Sequence, residues 1–95
     1  MDMYRQTIRE GIAEIDWKEL EYFYARGQVI YISMDLDLEE TAYQLVQNNT
    51  KFVEASMQSG LIGKVTEELA KTWFENQERL LSVVVQPWVL VQRLK

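Results

Sequence analysis

The sequence contains no cysteine and no histidine. Without cysteine, the chain cannot form a disulfide, a thiolate metal site or a cysteine nucleophile. Without histidine, it lacks the commonest transition-metal ligand and the usual general base of a catalytic serine. These two absences exclude zinc sites and serine–histidine triads, and they leave only carboxylates, lysine, tyrosine and serine for any catalysis.

Glycine and proline are scarce as well, with four glycines and one proline in the chain. The glycines are too dispersed to form a phosphate-binding loop, and helix ends or strand kinks account for them. No serine, lysine or tyrosine stands in a recognisable arrangement with a base. The sequence therefore predicts no catalytic residue and no cofactor, and we expect the protein not to be an enzyme.

Positive charge is the minority, with 10 basic residues against 15 acidic ones and a net charge of −5. This balance opposes binding that depends on phosphate neutralisation, so nucleic acid is not an expected partner. The first ten residues mix charges without an apolar segment, and the apolar run at residues 80–91 is too short for a membrane span and contains Pro87. We expect a cytoplasmic protein without a membrane partner.

The densest group of carboxylates lies at Asp35, Asp37, Glu39 and Glu40. Alternating oxygen ligands of this kind are suited to magnesium or calcium. A calcium loop, however, also needs a glycine at its sharp turn and a distant bidentate glutamate, and neither is present. Capping of a helix by Asp37, with Glu40 at the N3 position, accounts for the cluster, so no metal site is predicted.

The most apolar stretch of the chain is residues 80–91, where only Ser82, Gln86 and Pro87 interrupt a series of leucines, valines and one tryptophan. This composition is typical of a strand that is buried on both faces. Pro87 has no N–H to donate to a central ladder. The stretch is therefore either one strand at a sheet edge, or it bulges or turns at Gln86 and Pro87 and can form two strands.

Apolar spacing and capping residues predict the elements that precede this stretch. The first is a helix with apolar residues at 4, 8, 12 and 15, and the second is a helix that begins at a capping box formed by residues 16 and 19 and ends at residue 26. A strand over 28–33, a helix over 38–46 and a helix over 50–59 capped by Thr50 follow. The last two are a strand over 61–65 and a helix from residue 66 with Trp73 and Phe74 on its apolar face.

A chain of 95 residues with 47% hydrophobic composition buries about 60–65% of its unfolded surface and can build one core. We therefore expect a single domain over residues 1–95, of the α+β class, with a small mixed or antiparallel sheet of three to four strands covered by four to five helices. The element order from Trp17 onward also matches a winged-helix domain, with the helix that starts at Thr66 in the place of the hairpin wing, and the match is one of topology only. The helix that would read DNA carries Lys51 against Glu54, which is too little positive charge for phosphate contacts.

Three segments resemble a family of small bacterial proteins catalogued as domain of unknown function 2288. They are residues 15–20 (IDWKEL), 23–30 (FYARGQVI) and 83–92 (VVVQPWVLVQ). The resemblance extends over nearly the whole chain, and it implies no activity, cofactor or binding residue.

Aromatic residues make up 12% of the chain, a heavy load for a domain of this size, and aromatic side chains commonly anchor interfaces. Tyr22 and Tyr43 lie off the apolar stripes of their helices, so we expect them to be exposed. A valine-rich edge at Val85, Pro87 and Trp88 would pair with a second copy. The sequence therefore favours a non-catalytic protein–protein interaction module that forms a homodimer or binds a protein partner. The alternative is a winged-helix-like regulatory or nucleic-acid-associated domain.

Overall fold

The computed structural model describes residues 3–94, which form five helices and one five-stranded sheet. In chain order the elements are α1 (Met3–Gly11), β1 (Ala13–Asp16), α2 (Trp17–Ala25), β2 (Val29–Ile32), α3 (Leu38–Val46), α4 (Thr50–Gln58), β3 (Ile62–Lys64), α5 (Glu67–Asn76), β4 (Arg79–Val85) and β5 (Trp88–Arg93). The strand order is β1-β4-β5-β2-β3, with β2 and β5 parallel and the other neighbours antiparallel. The predicted α+β class with a mixed sheet is confirmed, with more strands than the three to four expected.

Helices cover both faces of the sheet, and β5 lies at its centre. Val89 and Val91 belong to the core beneath α2 and α5, whereas Leu90 belongs to the core beneath α1, α3 and α4. Each of these side chains is almost fully buried. Burial of one such aliphatic side chain is worth about 1.5–3 kcal/mol. The prediction that this stretch is covered on both faces is confirmed.

Pro87 marks a turn between two strands. β4 ends at Val85, β5 begins at Trp88, and the intervening Gln86–Pro87 peptide bond is cis. Both strands are interior, since β4 lies between β1 and β5, and β5 lies between β4 and β2. The turn alternative is therefore confirmed, and the alternative of a single strand at the sheet edge is wrong.

The first predicted helix is too long. α1 ends at Gly11, and the next residues form edge strand β1, in which Ile15 pairs with Leu80 of β4. Ile12 packs on the α1 side of the sheet and Ile15 on the α2 side, as expected for an extended chain whose side chains alternate. The spacing of Ile12 and Ile15 continues the helical pattern by coincidence, and hydrogen bonds to β4 determine the observed structure.

Polar side chains begin three of the helices. Asp37, Asn49 and Thr66 accept hydrogen bonds from the backbone N–H groups of Glu40, Phe52 and Leu69, respectively. The predicted cap at Asp37 is confirmed. The predicted cap at Thr50 is wrong, because Asn49 occupies the N-cap position and Thr50 is already helical.

Gln92 fixes the loop between β2 and α3 from within the sheet. Its amide nitrogen donates to the carbonyl oxygens of Ser33 and Leu36, at 2.8 and 2.6 Å. The side chain is buried on the face that α1, α3 and α4 cover. A central strand therefore determines the position of the loop that leads into α3.

The winged-helix order is followed only as far as β3. In the structure α5 comes after β3 in place of a wing strand, and within residues 3–94 β3 pairs only with β2. Helices also lie on both faces of the sheet. The two helices α3 and α4 therefore belong to one layer of a three-layer domain.

Candidate functional site

A cleft of about 740 Å³ lies where α2 begins and α5 ends, next to the first residue of β4. We call it the α2–α5 cleft. Its lining combines two aromatic rings with charged and amide side chains, namely Asp16, Trp17, Lys18, Glu21, Phe74, Glu75, Gln77 and Arg79. Its volume falls within the range of roughly 300–1,000 Å³ that small-molecule sites occupy.

Asp16 stands at the N-cap position of α2 but does not cap the helix. Its carboxylate instead lies 3.0 Å from Nε of Arg79, and no side-chain hydrogen bond caps the first turn. The capping box predicted for Asp16 and Glu19 is therefore wrong. The physical reason is competition, because the ion pair across β1 and β4 turns the carboxylate away from the helix.

Trp17 forms part of the cleft wall and is only 5% exposed. Its ring centroid lies 5.5 Å from that of Tyr24 and 5.9 Å from that of Trp73, in the core beneath α2 and α5. The indole Nε1 is buried and has no hydrogen-bond acceptor among residues 3–94. A buried donor without an acceptor costs about 1–3 kcal/mol, so this N–H requires an explanation.

Phe74 is the second aromatic residue of the cleft and is 61% exposed. The prediction that it lies on the apolar face of its helix is wrong, because the inner face of α5 is narrow and is filled by Leu69, Ala70 and Trp73. The start of α2 without a side-chain cap and the exposed ring of Phe74 both depart from local rules, and both lie at this cleft. Such departures tend to concentrate at functional sites.

Two of the four carboxylates at residues 35–40, those of Glu39 and Glu40, form the contact between α1 and α3. Arg9 binds Glu39 through two hydrogen bonds of 2.8 and 3.2 Å, and Arg5 forms an ion pair with Glu40. The hydrogen bond from Arg9 is the main reason why the pKa of Glu39 is lowered; desolvation partly opposes it, and the positive charges of Arg9 and Arg5 lower the pKa further. Hydrogen bonds from Gln44 and Arg5 lower the pKa of Glu40.

No group of three or more histidine, cysteine, aspartate or glutamate side chains within residues 3–94 could hold a metal ion. In the same range, no helix is both long and apolar enough to cross a membrane.

The two tyrosines predicted to be exposed differ from each other. Tyr22 is 62% exposed, and its hydroxyl oxygen accepts a hydrogen bond from Arg26 at 3.1 Å. Tyr43 is half-buried against the core beneath α3, with the Arg5 guanidinium 4.1 Å from its ring centroid. The expectation of exposure is therefore confirmed for Tyr22 and wrong for Tyr43, since Arg5 of α1 covers that ring.

The other three predicted interface residues lie together at the turn between β4 and β5. Val85 is half-buried, Pro87 is exposed and Trp88 is 36% exposed. Val84, which the sequence did not single out, is 57% exposed. We call residues 84–88 the hairpin tip. Alternation of side chains along a strand does not reveal which of its residues a helix covers, so the exposure of Val84 required the structure.

The sheet, its two helical layers and the α2–α5 cleft define a small three-layer α+β domain. Residues 3–93 match the model of a family described as a protein of unknown function, DUF2288, and the chain belongs to this family. The NMR solution structure of PA1075 from Pseudomonas aeruginosa is similar, with 34% sequence identity, a TM-score of 0.86, and coverage of 100% of this chain and 88% of that chain. No curated protein matches the sequence. The predicted family resemblance is confirmed.

Proposed function

We propose that this protein is a non-catalytic interaction module that forms a homodimer through the hairpin tip. The observation that supports this proposal is the exposure of apolar side chains in the longest uncharged stretch of the chain. Residues 80–92 carry no charge, and Val84 and Trp88 within them are 57% and 36% exposed. Exposed aliphatic and aromatic side chains are typical of protein contacts.

Charge favours a second copy of this chain at that surface. Each copy carries a net charge of −5, so two copies repel each other over most of their surfaces. An uncharged hairpin tip is a place where they can approach without that repulsion. Because specific interfaces bury about 1,200–2,000 Å² and the hairpin tip is small, we expect a weak dimer with a Kd of roughly micromolar or above.

The test is the molar mass in solution as a function of protein concentration, measured by sedimentation equilibrium. The wild type should approach the dimer mass as the concentration rises, and Val84→Lys should remain monomeric because each tip then carries a positive charge. Met57→Lys is the matched control, since Met57 is 54% exposed on α4 and receives the same substitution.

A second variant distinguishes loss of association from unfolding caused by Val84→Lys. Gln86→Glu adds a like charge at the exposed turn without altering an apolar strand residue, and it should weaken association as well. Circular dichroism should show that all variants are folded. A wild type that stays monomeric at every concentration, or a Met57→Lys variant that dissociates as readily as Val84→Lys, would contradict the proposal.

A further inference from the structure

We propose that the free edge of β1 binds an extended basic peptide, which adds to the sheet as a further strand antiparallel to β1. β1 is the last strand on its side of the sheet, and within residues 3–94 it pairs only with β4. The proposal goes beyond the homodimer, because the hairpin tip joins two interior strands whereas β1 lies at the sheet edge.

Hydrogen bonding between β1 and β4 shows which backbone groups of β1 face outward. Trp17 follows β1, and its N–H donates to the carbonyl of Glu78 at 3.1 Å, in register with the pairs of β1 and β4. Hydrogen-bonded and non-hydrogen-bonded residues alternate along an antiparallel pair, so Ile15 bonds to β4. The backbone N–H and C=O of Glu14 and the N–H of Asp16 therefore point away from β4, toward the free edge.

These outward groups are accessible to a partner. The side chains of Ala13, Glu14 and Asp16 are exposed, and within the described residues no further strand lies beside β1. An open sheet edge is a template for strand addition, in which main-chain hydrogen bonds provide affinity and alternate side chains provide specificity. β1 therefore offers donors and an acceptor to an added strand.

The side chains of β1 determine which sequence such a strand should have. Ile15 packs on the α2 side of the sheet, whereas Glu14 lies opposite Leu81, which packs on the α1 side. Glu14 has no ion-pair partner among residues 3–94. In an added strand, the residues that bond to Glu14 and Asp16 place their side chains next to these carboxylates. Basic residues at those positions, alternating with apolar residues beside Ile15, therefore complement the edge.

The same geometry disfavours a second copy of β1 as the partner. In an antiparallel pair only residues with outward backbone groups bond to each other, so two copies would place Glu14 or Asp16 opposite another carboxylate. Like charges directly opposite each other are destabilising. The net charge of −5 on each copy adds to this repulsion, and it attracts a cationic peptide.

The experiment is an NMR titration of the full chain, at low ionic strength, with the acetylated and amidated peptide Lys-Val-Lys-Val-Lys-Val. The backbone amide signals of residues 13–16 should shift. The signals of β3 should not, because that opposite edge of the sheet carries Lys64. The indole N–H signal of Trp88 at the hairpin tip should also stay in place, which separates this site from the dimer contact.

Two control peptides separate strand addition from charge attraction. Glu-Val-Glu-Val-Glu-Val can form the same backbone hydrogen bonds but has the opposite charge, and it should not bind. The basic peptide with an N-methyl group on its second lysine keeps every charge but lacks an N–H that is directed at β1. It should bind at least about fivefold more weakly than the unmodified peptide.

Three variants test the charge of the edge. Glu14→Gln should weaken binding of the basic peptide by roughly two- to fivefold, and Glu14→Lys by about tenfold. Glu54→Lys is the matched control, since Glu54 is exposed on α4 and receives the same change of charge. It should alter the affinity by less than about twofold, because charges far from the edge are screened.

Glu14 and Glu54 are both exposed, so the substitutions should not prevent folding, and circular dichroism should verify this. Absence of shifts at residues 13–16 with the basic peptide would overturn the proposal. Equal binding of the N-methylated peptide, or equal weakening by Glu14→Lys and Glu54→Lys, would overturn it as well, because attraction between net charges would then account for the binding.

Discussion

Replacement of Gln92 by methionine should destabilise the protein although the volume of the side chain hardly changes. Gln92 is a buried polar residue in the central strand β5, and its amide donates to the carbonyls of Ser33 and Leu36. Methionine is of similar length but has no N–H to donate. The substitution therefore removes hydrogen bonds without creating a large cavity.

The expected cost follows from the two lost bonds. A neutral hydrogen bond contributes about 1 kcal/mol net, and a buried acceptor that loses its donor costs about 1–3 kcal/mol. The carbonyl of Ser33 keeps one bond, from the N–H of Leu36 at 3.1 Å, so its loss is the smaller one. We expect the free energy of unfolding to fall by about 2–4 kcal/mol and the Tm by roughly 10–30 °C.

The measurement is urea unfolding followed by circular dichroism, with Gln58→Met as the control. Gln58 is exposed at the end of α4, and the same substitution there should change stability by less than about 0.5 kcal/mol. A Gln92→Met variant with the stability of the wild type would refute the reasoning. An equal loss in Gln58→Met would also refute it, because the effect would then come from methionine itself.

Two further predictions concern the charged groups. The folded protein lowers the pKa of Glu39 below its ordinary value of about 4.5, so the contact with Arg9 stabilises the fold above that pH and is lost as the pH falls through the lowered pKa. The difference in urea midpoint between the wild type and Glu39→Gln should therefore shrink in acid, and a difference that is independent of pH would contradict this assignment. Asp37→Ala should lower the free energy of unfolding by about 1 kcal/mol, because the helix cap is lost. Asp16→Ala should lower it by less than about 1 kcal/mol, because only an exposed ion pair is lost. Urea unfolding measures both losses, and a larger loss for Asp16→Ala than for Asp37→Ala would contradict this reasoning.

Local signals in the sequence predicted the structure correctly where a single interaction determines the conformation of the segment. The valine-rich stretch predicted burial on both faces because few polar residues interrupt it. The helix start predicted at Asp37 is confirmed because its carboxylate accepts a hydrogen bond from the backbone N–H of Glu40. Asp16 carries the same local signal but fails to cap, since Arg79 competes for its carboxylate from β4. That competitor is distant in the sequence, so the local pattern could not reveal it.

Tertiary pairing explains the missed strand and the missed cleft. β1 forms because β4 presents a free edge, and nothing within residues 13–16 distinguishes it from the end of a helix. The cleft combines residues 16–21 with residues 74–79, which become neighbours only after α2 and α5 pack on the sheet. Phe74 is exposed because Leu69, Ala70 and Trp73 already fill the inner face of α5, and this too depends on how the helix packs on the sheet. The position of the cleft can therefore be found only once the fold is known, although the sequence shows the types of residue that line it.

The central position of β5 has a consequence for the order of folding during synthesis. β1 and β4 form one part of the sheet, β2 and β3 form the other, and β5 alone joins them through its pairs with β4 and β2. Every other element precedes β5 in the chain. A nascent chain that has exposed all the residues up to Val85 can therefore form at most two separate pairs of strands. The complete sheet, and with it the cores on both faces, can form only after Trp88–Arg93 have been synthesised and have left the ribosome.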